Sequence, residues 1–464
     1  MDVQVFVTAG LGDNTFLVVS GDEAVIVDPQ RDAWRFLAAA DSRGARVRGV
    51  LETHVHNDYV SGAHEIRAAT GAELVLPADG GYEFAHRGAR EGEEVLVGDL
   101  RLVAMDTPGH TYEHIAWLVY ERGREDPSAA LTGGSLLVGS AGRSDLLGPD
   151  HTPTLTAAQF ASIRRLAALP DTVQVLPTHG AGSFCVAAMP STERTSTLAA
   201  ERRSNPLVTA VDEADFAAEL SGELMAYPAY YAQMAPINRA GAPVLGRPPA
   251  LPGLAEALVA ERLRTGVTVV DARDRDAFAT EHLPGSVNIE LNSGFGSYVG
   301  WILPFASPLV LVLPDPVEES AREAVTQLLR IGWPDPEGYL VGGPAAWRAA
   351  GRDVRSYPNV GVSALCQEFE EGRRPRVLDV RQELEWGWGG VPGSEQVFLA
   401  DVPGRLDRLA GDDTAWVICS NGHRAAIAAS LLDGAGTPVS LVGTGGVGEL
   451  RQKCGEALLA SSRT

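Results

Sequence analysis

The stretch "THVHNDYVSG", residues 53–62, sets three metal donors, His54, His56 and Asp58, at alternate positions behind the apolar run "VRGVLE". A loop leaving a strand end can aim several imidazole and carboxylate groups at one ion. Two more histidines follow apolar runs: His110 after "LRLVAMDTPG" and His179 after "VQVLPT". Either alone reads as an ordinary loop residue. Three histidine-bearing loops behind three strands read as a metal site at the rim of a β-sandwich, and neutral imidazoles suit Zn, Fe or Mn. A second centre lies in "AWVICSNGHRAAIAASLL", residues 415–432. Here a buried strand ends at Cys419, a turn of Ser420, Asn421, Gly422 and His423 follows, and a helix begins near Arg424. A thiol at a helix N-terminus faces unpaired N–H groups and the positive dipole end, which stabilise a thiolate and cradle an anionic sulfur or oxyanion. That is the chemistry of a nucleophilic cysteine, with Cys419 as the catalytic nucleophile, Arg424 adding positive charge beside it and residues 420–423 lining the cradle.

Such loops need strands to hold them. Residues 1–203 alternate short β-type runs ("TFLVVS", "AVIVD", "AELVLP", "HIAWLVY") with helical stretches ("AWRFLAAADSRG", "AAQFASIRRLAAL"). Many strands with few helices predict two sheets packed face to face with helices outside, an αββα sandwich. Residues 204–253 are rich in Pro, Tyr and Ala and read as an extension of that domain followed by a linker. The tyrosines at 227, 230 and 231 are too aromatic for a free tether.

Beyond the linker the chain repeats itself. "VTVVDARDRDAFATEHLPGSVNI" aligns with "PRVLDVRQELEWGWGGVPGSEQV", placing Asp271 and Asp379, Arg273 and Arg381, and Pro284 and Pro392 each 108 residues apart. Each copy alternates strand and helix, which predicts two small α/β domains with mostly parallel sheets, over 254–356 and 357–464. The position matching Cys419 falls between 311 and 316, where "LVLPDP" contains no cysteine. The first copy therefore lacks the nucleophile and reads as a spacer or docking surface.

Composition narrows the setting. A formal charge of −22 argues against nucleic acid and anionic membrane surfaces as partners. The start "MDVQVFVTAG" lacks a basic region followed by an apolar core, so a cytoplasmic location is expected. The four cysteines are scattered and form no disulfide framework. A homo-oligomer is compatible with the sequence, which does not fix the oligomeric state.

The first domain resembles the metallo-β-lactamase superfamily. Its "AVIVDPQRD", "TPGHT", "GSAGRSDL" and "HGAGSFC" look most like persulfide dioxygenases, especially those fused to rhodanese domains. The resemblance implies one Fe(II), with Zn(II) as the other candidate, and a thiol persulfide oxidised with O₂ to sulfite. It places family histidine ligands on His54 and His110. The family's Asp should stand in a "T-G-D" step, which here reads Thr132-Gly133-Gly134. Tyr59 stands where two-metal relatives such as glyoxalase II have a histidine. What remains is a single-ion set of His54, His56 and His110, with Asp58, His179 and Tyr59 acting behind it or as further ligands. The resemblance also gives Arg143 to the substrate and leaves Cys185, six residues past His179, as a sulfur relay or an inert buried thiol.

The Cys419 loop and the "VLDVR…VPGS" frame resemble rhodaneses. That implies transfer of sulfane sulfur through Cys419, with thiosulfate, sulfite or a low-molecular-weight thiol persulfide as partners. Two alternatives stay open: a metal-dependent thioester hydrolase of the glyoxalase II type, and a non-catalytic persulfide-binding or redox-sensing protein.

Overall fold

A computed structural model describes residues 1–187, 191–222 and 224–461. The chain forms two compact units, Met1–Pro248 with Leu329–Gly332, and Pro249–Leu328 with Trp333–Thr464. Among the described residues no helix is long and apolar enough to cross a membrane.

The first unit is the expected sandwich. One six-stranded sheet runs in chain order from Asp2–Thr8 to Arg87–Ala89. It is antiparallel over its first three strands and parallel from Glu23–Val27 onward. The other orders its strands Ser196–Thr197, Gln174–Pro177, Ala129–Gly133, Ile115–Glu121, Leu100–Asp106 and Glu94–Val97. Alternation along each strand sorts the side chains. Phe16, Val18, Val25 and Val27 face inward against Leu102, Trp117, Val119 and Leu131. Leu17, Val19, Ala24 and Ile26 face outward under the helices Trp34–Ser42 and Ala63–Thr70. The other outer face packs on helix Thr152–Ala167 and on helices from the 198–221 segment.

Residues 204–222 and 224–248 fold onto this unit. They carry helices Pro206–Thr209, Glu213–Ser221 and Tyr231–Ala240, with Tyr230 and Tyr231 buried.

The second unit holds two five-stranded parallel sheets with the same strand order. In the first, Gly253–Leu254, Gly338–Leu340, Leu309–Val312, Thr268–Asp271 and Val287–Asn288 lie side by side. In the second, Asn359–Gly361, Val439–Thr444, Ala415–Ile418, Arg376–Asp379 and Glu395–Gln396 do so. The repeat extends to hydrogen bonds. Arg273 grips Asp271 and donates to the Glu281 carbonyl at 2.8 Å, while Arg381 grips Asp379 and donates to the Gly389 carbonyl at 2.8 Å. The shared "D-x-R" is thus a clamp at a strand end.

Candidate functional site

The strand Glu23–Val27 ends at Asp28, whose φ of 52° lies in the left-handed region that Asp tolerates better than most residues. Its carboxylate accepts from the Thr53 amide at 2.7 Å, from the Thr53 hydroxyl at 2.8 Å and from Thr178. One buried acid thereby ties together two of the histidine-bearing loops. Burial opposes its charge, but His56 and these donors prevail and hold its pKa at about 2. The sequence signal for it was an acid directly behind the apolar run "AVIV".

Three imidazoles converge above this strut, each with its tautomer set by a neighbour. His110 Nδ1 donates to the Arg143 carbonyl at 2.7 Å. His179 Nδ1 faces the Asp13 carboxylate at 2.8 Å. The Thr53 hydroxyl spends its proton on Asp28 and so accepts from His54 Nδ1, 2.8 Å away. All three Nε2 atoms are therefore bare. The donor atoms of His54, His110 and His179 lie within 4.8 Å of one another, with His54 and His179 Nε2 3.3 Å apart. His110 Nε2 is buried without a hydrogen-bond partner. Two lone pairs facing at that distance call for a cation, and about 2.0–2.1 Å from a common ion is where such nitrogens sit. The residues fit a metal ion.

The expected set of His54, His56 and His110 does not assemble. His56 commits its Nε2 elsewhere. Its Nε2 lies 2.8 Å from Glu52, 3.3 Å from Asp28 and 3.0 Å from the Tyr59 hydroxyl, and the Tyr59 ring stacks on it. Burial disfavours its charge, yet the two carboxylates raise its pKa well above the usual value. His56 does share two other close groups, with Asp28 and His54 and with Asp58 and His179. Glu52 and Tyr59 hold Nε2, while His56 Nδ1 is buried without a hydrogen-bond partner. Asp58 sits 3.4 Å from His179 Nδ1, beside Asp13; burial first, then that like charge, push its pKa up to about 7.

Gly134 carries the missing carboxylate's consequence. A Cβ there would stand 2.3 Å from His110 Cδ2. Its amide donates to His114 Nε2 at 2.8 Å, and the His114 ring stacks on His54 with centroids 5.0 Å apart. His114 was not singled out in the sequence; "TYEH" carries no ligand spacing.

One further expectation is corrected, and of the two readings of Cys185 the buried thiol is the one met. Arg143 is not open to substrate: its guanidinium grips Asp145 at 2.6 and 2.7 Å, donates to the Phe184 and Met225 carbonyls, and lies over the Tyr227 ring. Cys185 is fully buried, and burial pushes its thiol well up, away from a relay.

In the second unit Cys419 follows the strand Ala415–Ile418 and the helix His423–Gly434 begins four residues later. The Gly422 amide donates to Cys419 Sγ at 3.1 Å. Gly422 needs its φ of 91°, and a Cβ there would meet the Gly443 carbonyl oxygen at 2.1 Å. The Asn421 carboxamide accepts from the His423 amide at 3.2 Å, closing the turn. Arg424 forks onto both oxygens of Glu385 and donates to the Ser420 hydroxyl at 2.9 Å. Its charge is balanced inside the protein. Glu385 was missed in the sequence because 39 residues separate the pair. Leu313 stands behind the strand Leu309–Val312 where Cys419 stands behind its own.

The sequence profile of the metallo-β-lactamase superfamily matches residues 9–179, and that of rhodanese-like domains matches residues 255–350. A hydroxyacylglutathione hydrolase of Rhodospirillum rubrum is 32% identical over 232 residues, covering 45% of this chain and 87% of that protein. The chain belongs to the metallo-β-lactamase superfamily. A hydroxyacylglutathione hydrolase of Fuscovulum blasticum is 35% identical over 168 residues, 34% of this chain, which spans only 58% of that relative. A solved metallo-β-lactamase from Staphylococcus aureus subsp. aureus COL is 27% identical, with a TM-score of 0.66 over 73% of this chain and 98% of that one. Within the superfamily fold this chain carries a His/Asp cluster placed to hold a metal ion, and rhodanese-like domains follow it in sequence.

Proposed function

We propose that the protein is a sulfur-handling enzyme in which Cys419 carries sulfane sulfur, in one chain with a persulfide dioxygenase-like metal domain. The observation that carries this reading is the Cys419 loop: a thiol at a strand end, receiving the Gly422 amide at 3.1 Å, at the mouth of helix His423–Gly434. A superfamily metal domain and rhodanese-like domains in one chain support it.

In the transfer step the Cys419 thiolate attacks the outer sulfur of a thiol persulfide. The donor's S–S bond breaks, its inner sulfur leaves as a thiolate that takes a proton, and a new S–S bond forms at Sγ. No net oxidation occurs, and an acceptor thiol or sulfite reverses the loading. In the metal domain His54, His110 and His179 would hold the ion, Fe(II) in this reading. Bound there, it would supply a Lewis acid. The chain's own contribution is orientation: Asp13, the Arg143 carbonyl and Thr53 fix which nitrogen each histidine presents.

Full-length protein exposed to glutathione persulfide or thiosulfate should gain one sulfur at Cys419 by peptide mass spectrometry and lose it to cyanide or sulfite. Loading that persists in Cys419→Ala would overturn the assignment. A second reading, a metal-dependent thioester hydrolase, is favoured by the names of the curated relatives. Tyr59 and Gly134 weigh against its two-ion form. Turnover of a hydroxyacylglutathione, lost in His110→Ala, would establish it instead.

A further inference from the structure

The first repeat has lost the nucleophile to Leu313, and Ala277 stands at the repeat position of Glu385. Yet three of its side chains meet the Cys419 loop. Arg275 commits Nε and one terminal nitrogen to Glu290, at 2.9 and 2.6 Å. The other terminal nitrogen donates to the Asn421 carbonyl at 2.9 Å and the Gly443 carbonyl at 3.0 Å. Gly422 lies between these, and a Cβ on it would stand 2.2 Å from that arginine nitrogen.

Asn292 acts on the next residue. Its Oδ1 accepts from the Gly294 amide at 2.8 Å, which fixes the carboxamide orientation. Nδ2 therefore donates to His423 Nε2 at 3.1 Å, and the imidazole carries its proton on Nδ1. Tyr298 meets the same ring edge-on, centroids 4.6 Å apart at 89°, and its phenol lies within electrostatic reach of Arg424, Cys419 and Glu385. Burial lowers the His423 pKa to about 4; Arg275 and Arg424 add to this and Glu290 opposes it.

We propose that the cysteine-free repeat is the other half of the Cys419 site, with Arg275, Asn292 and Tyr298 as positioning residues for Asn421–His423. The inference rests on the sulfur-transfer reading for its purpose, but its geometry reads out without a sulfur donor. It replaces the spacer role expected from the missing cysteine. A repeat with Leu313 in the nucleophile's place still directs Arg275, paired to Glu290, at its neighbour's loop.

The test uses full-length protein and two rates at Cys419, sulfur loading from glutathione persulfide and alkylation by iodoacetamide, both followed by mass spectrometry across pH. Arg275→Met should slow both by at least about tenfold, and Arg275→Lys should recover part of the loss. Asn292→Asp, nearly isosteric, reverses the hydrogen bond. Its carboxylate would draw the proton to Nε2 and raise the His423 pKa against Arg275 and Arg424, with Glu290 assisting. A titration near neutral pH, absent in the parent, should then enter the rate profile. Glu319→Ala, on an exposed part of the same repeat, should match the parent.

If Arg275→Met does not fold, Asn292→Asp decides alone. Folded variants of both residues with parental rates and pH profiles would overturn the proposal. If the parent takes up no sulfur while alkylation still depends on Arg275 and Asn292, sulfur transfer falls and the coupling of the repeats stands.

Discussion

Glu385 and Arg424 face each other as a two-point fork, both largely buried, so the arginine of the cysteine loop has its counter-ion within the protein. Removing one member of a buried pair strands the other's charge, at a cost of about 3 kcal/mol. Glu385→Gln should therefore lower the stability of the second unit by roughly that amount at pH 7, measured by urea unfolding. Burial alone would raise the Glu385 pKa, but Arg424 lowers it below the usual value. Its contribution is thus present above the unfolded carboxyl's titration, near about pH 4.3, and is lost as pH falls through the lower folded value. The gap between parent and variant should close only below that range. An equal gap at pH 7 and in strong acid would exclude the fork as its source.

Metal content separates the two histidine sets. His110→Ala and His179→Ala should each reduce bound metal from about one equivalent to near zero, by elemental analysis of anaerobically purified protein. His56→Gln should keep most of the metal while losing about 2–3 kcal/mol of stability, because Glu52 and Asp28 would be left without their cation. Loss of metal in His56→Gln with retention in His179→Ala would reverse the assignment.

Restoring the superfamily's carboxylate should fail. The Cβ of Gly134→Asp would sit 2.3 Å from His110 Cδ2. Overpacking of this kind costs about 1–3 kcal/mol. Metal content and thermal stability should both fall. A variant that gained metal would show that His110 moves aside freely.

Gly422→Ala combines a φ of 91° with a Cβ 2.1 Å from the Gly443 carbonyl oxygen. The left-handed backbone alone costs about 1–2 kcal/mol. Sulfur loading at Cys419 should drop by at least about a hundredfold, while metal content of the first unit stays at the parental level. Parental loading rates would mean that the amide facing Sγ is dispensable.

Much of the architecture was legible because periodicity and repetition are local signals. Alternation in "TFLVVS" and "AVIVD" marked sandwich strands, and the 108-residue offset located both "D-x-R" clamps. The Cys419 turn was legible for the same reason, since strand, Gly422 and helix are contiguous. The metal set was not. His54, His56 and His179 all offer imidazoles, and the difference lies in what holds each ring: Asp13, from 166 residues away, for His179, and Glu52 with Tyr59 for His56. Family likeness placed Arg143 at the substrate, but Asp145, two residues on, already occupies it. Arg275 and Asn292 escaped notice because a repeat without its cysteine gave no reason to look for their partners.

Asn238 donates to the His56 and Tyr59 carbonyls at 2.9 and 2.8 Å, and its side-chain oxygen accepts from the Ser61 amide at 2.9 Å. A fragment cut where the sandwich strands and their first covering helices end, near residue 203, would keep His54, His56, His110 and His179 yet leave the histidine loop without that brace. Anyone isolating the N-terminal half for assay should carry the chain through Pro248, or risk mistaking a shortened boundary for a dead enzyme.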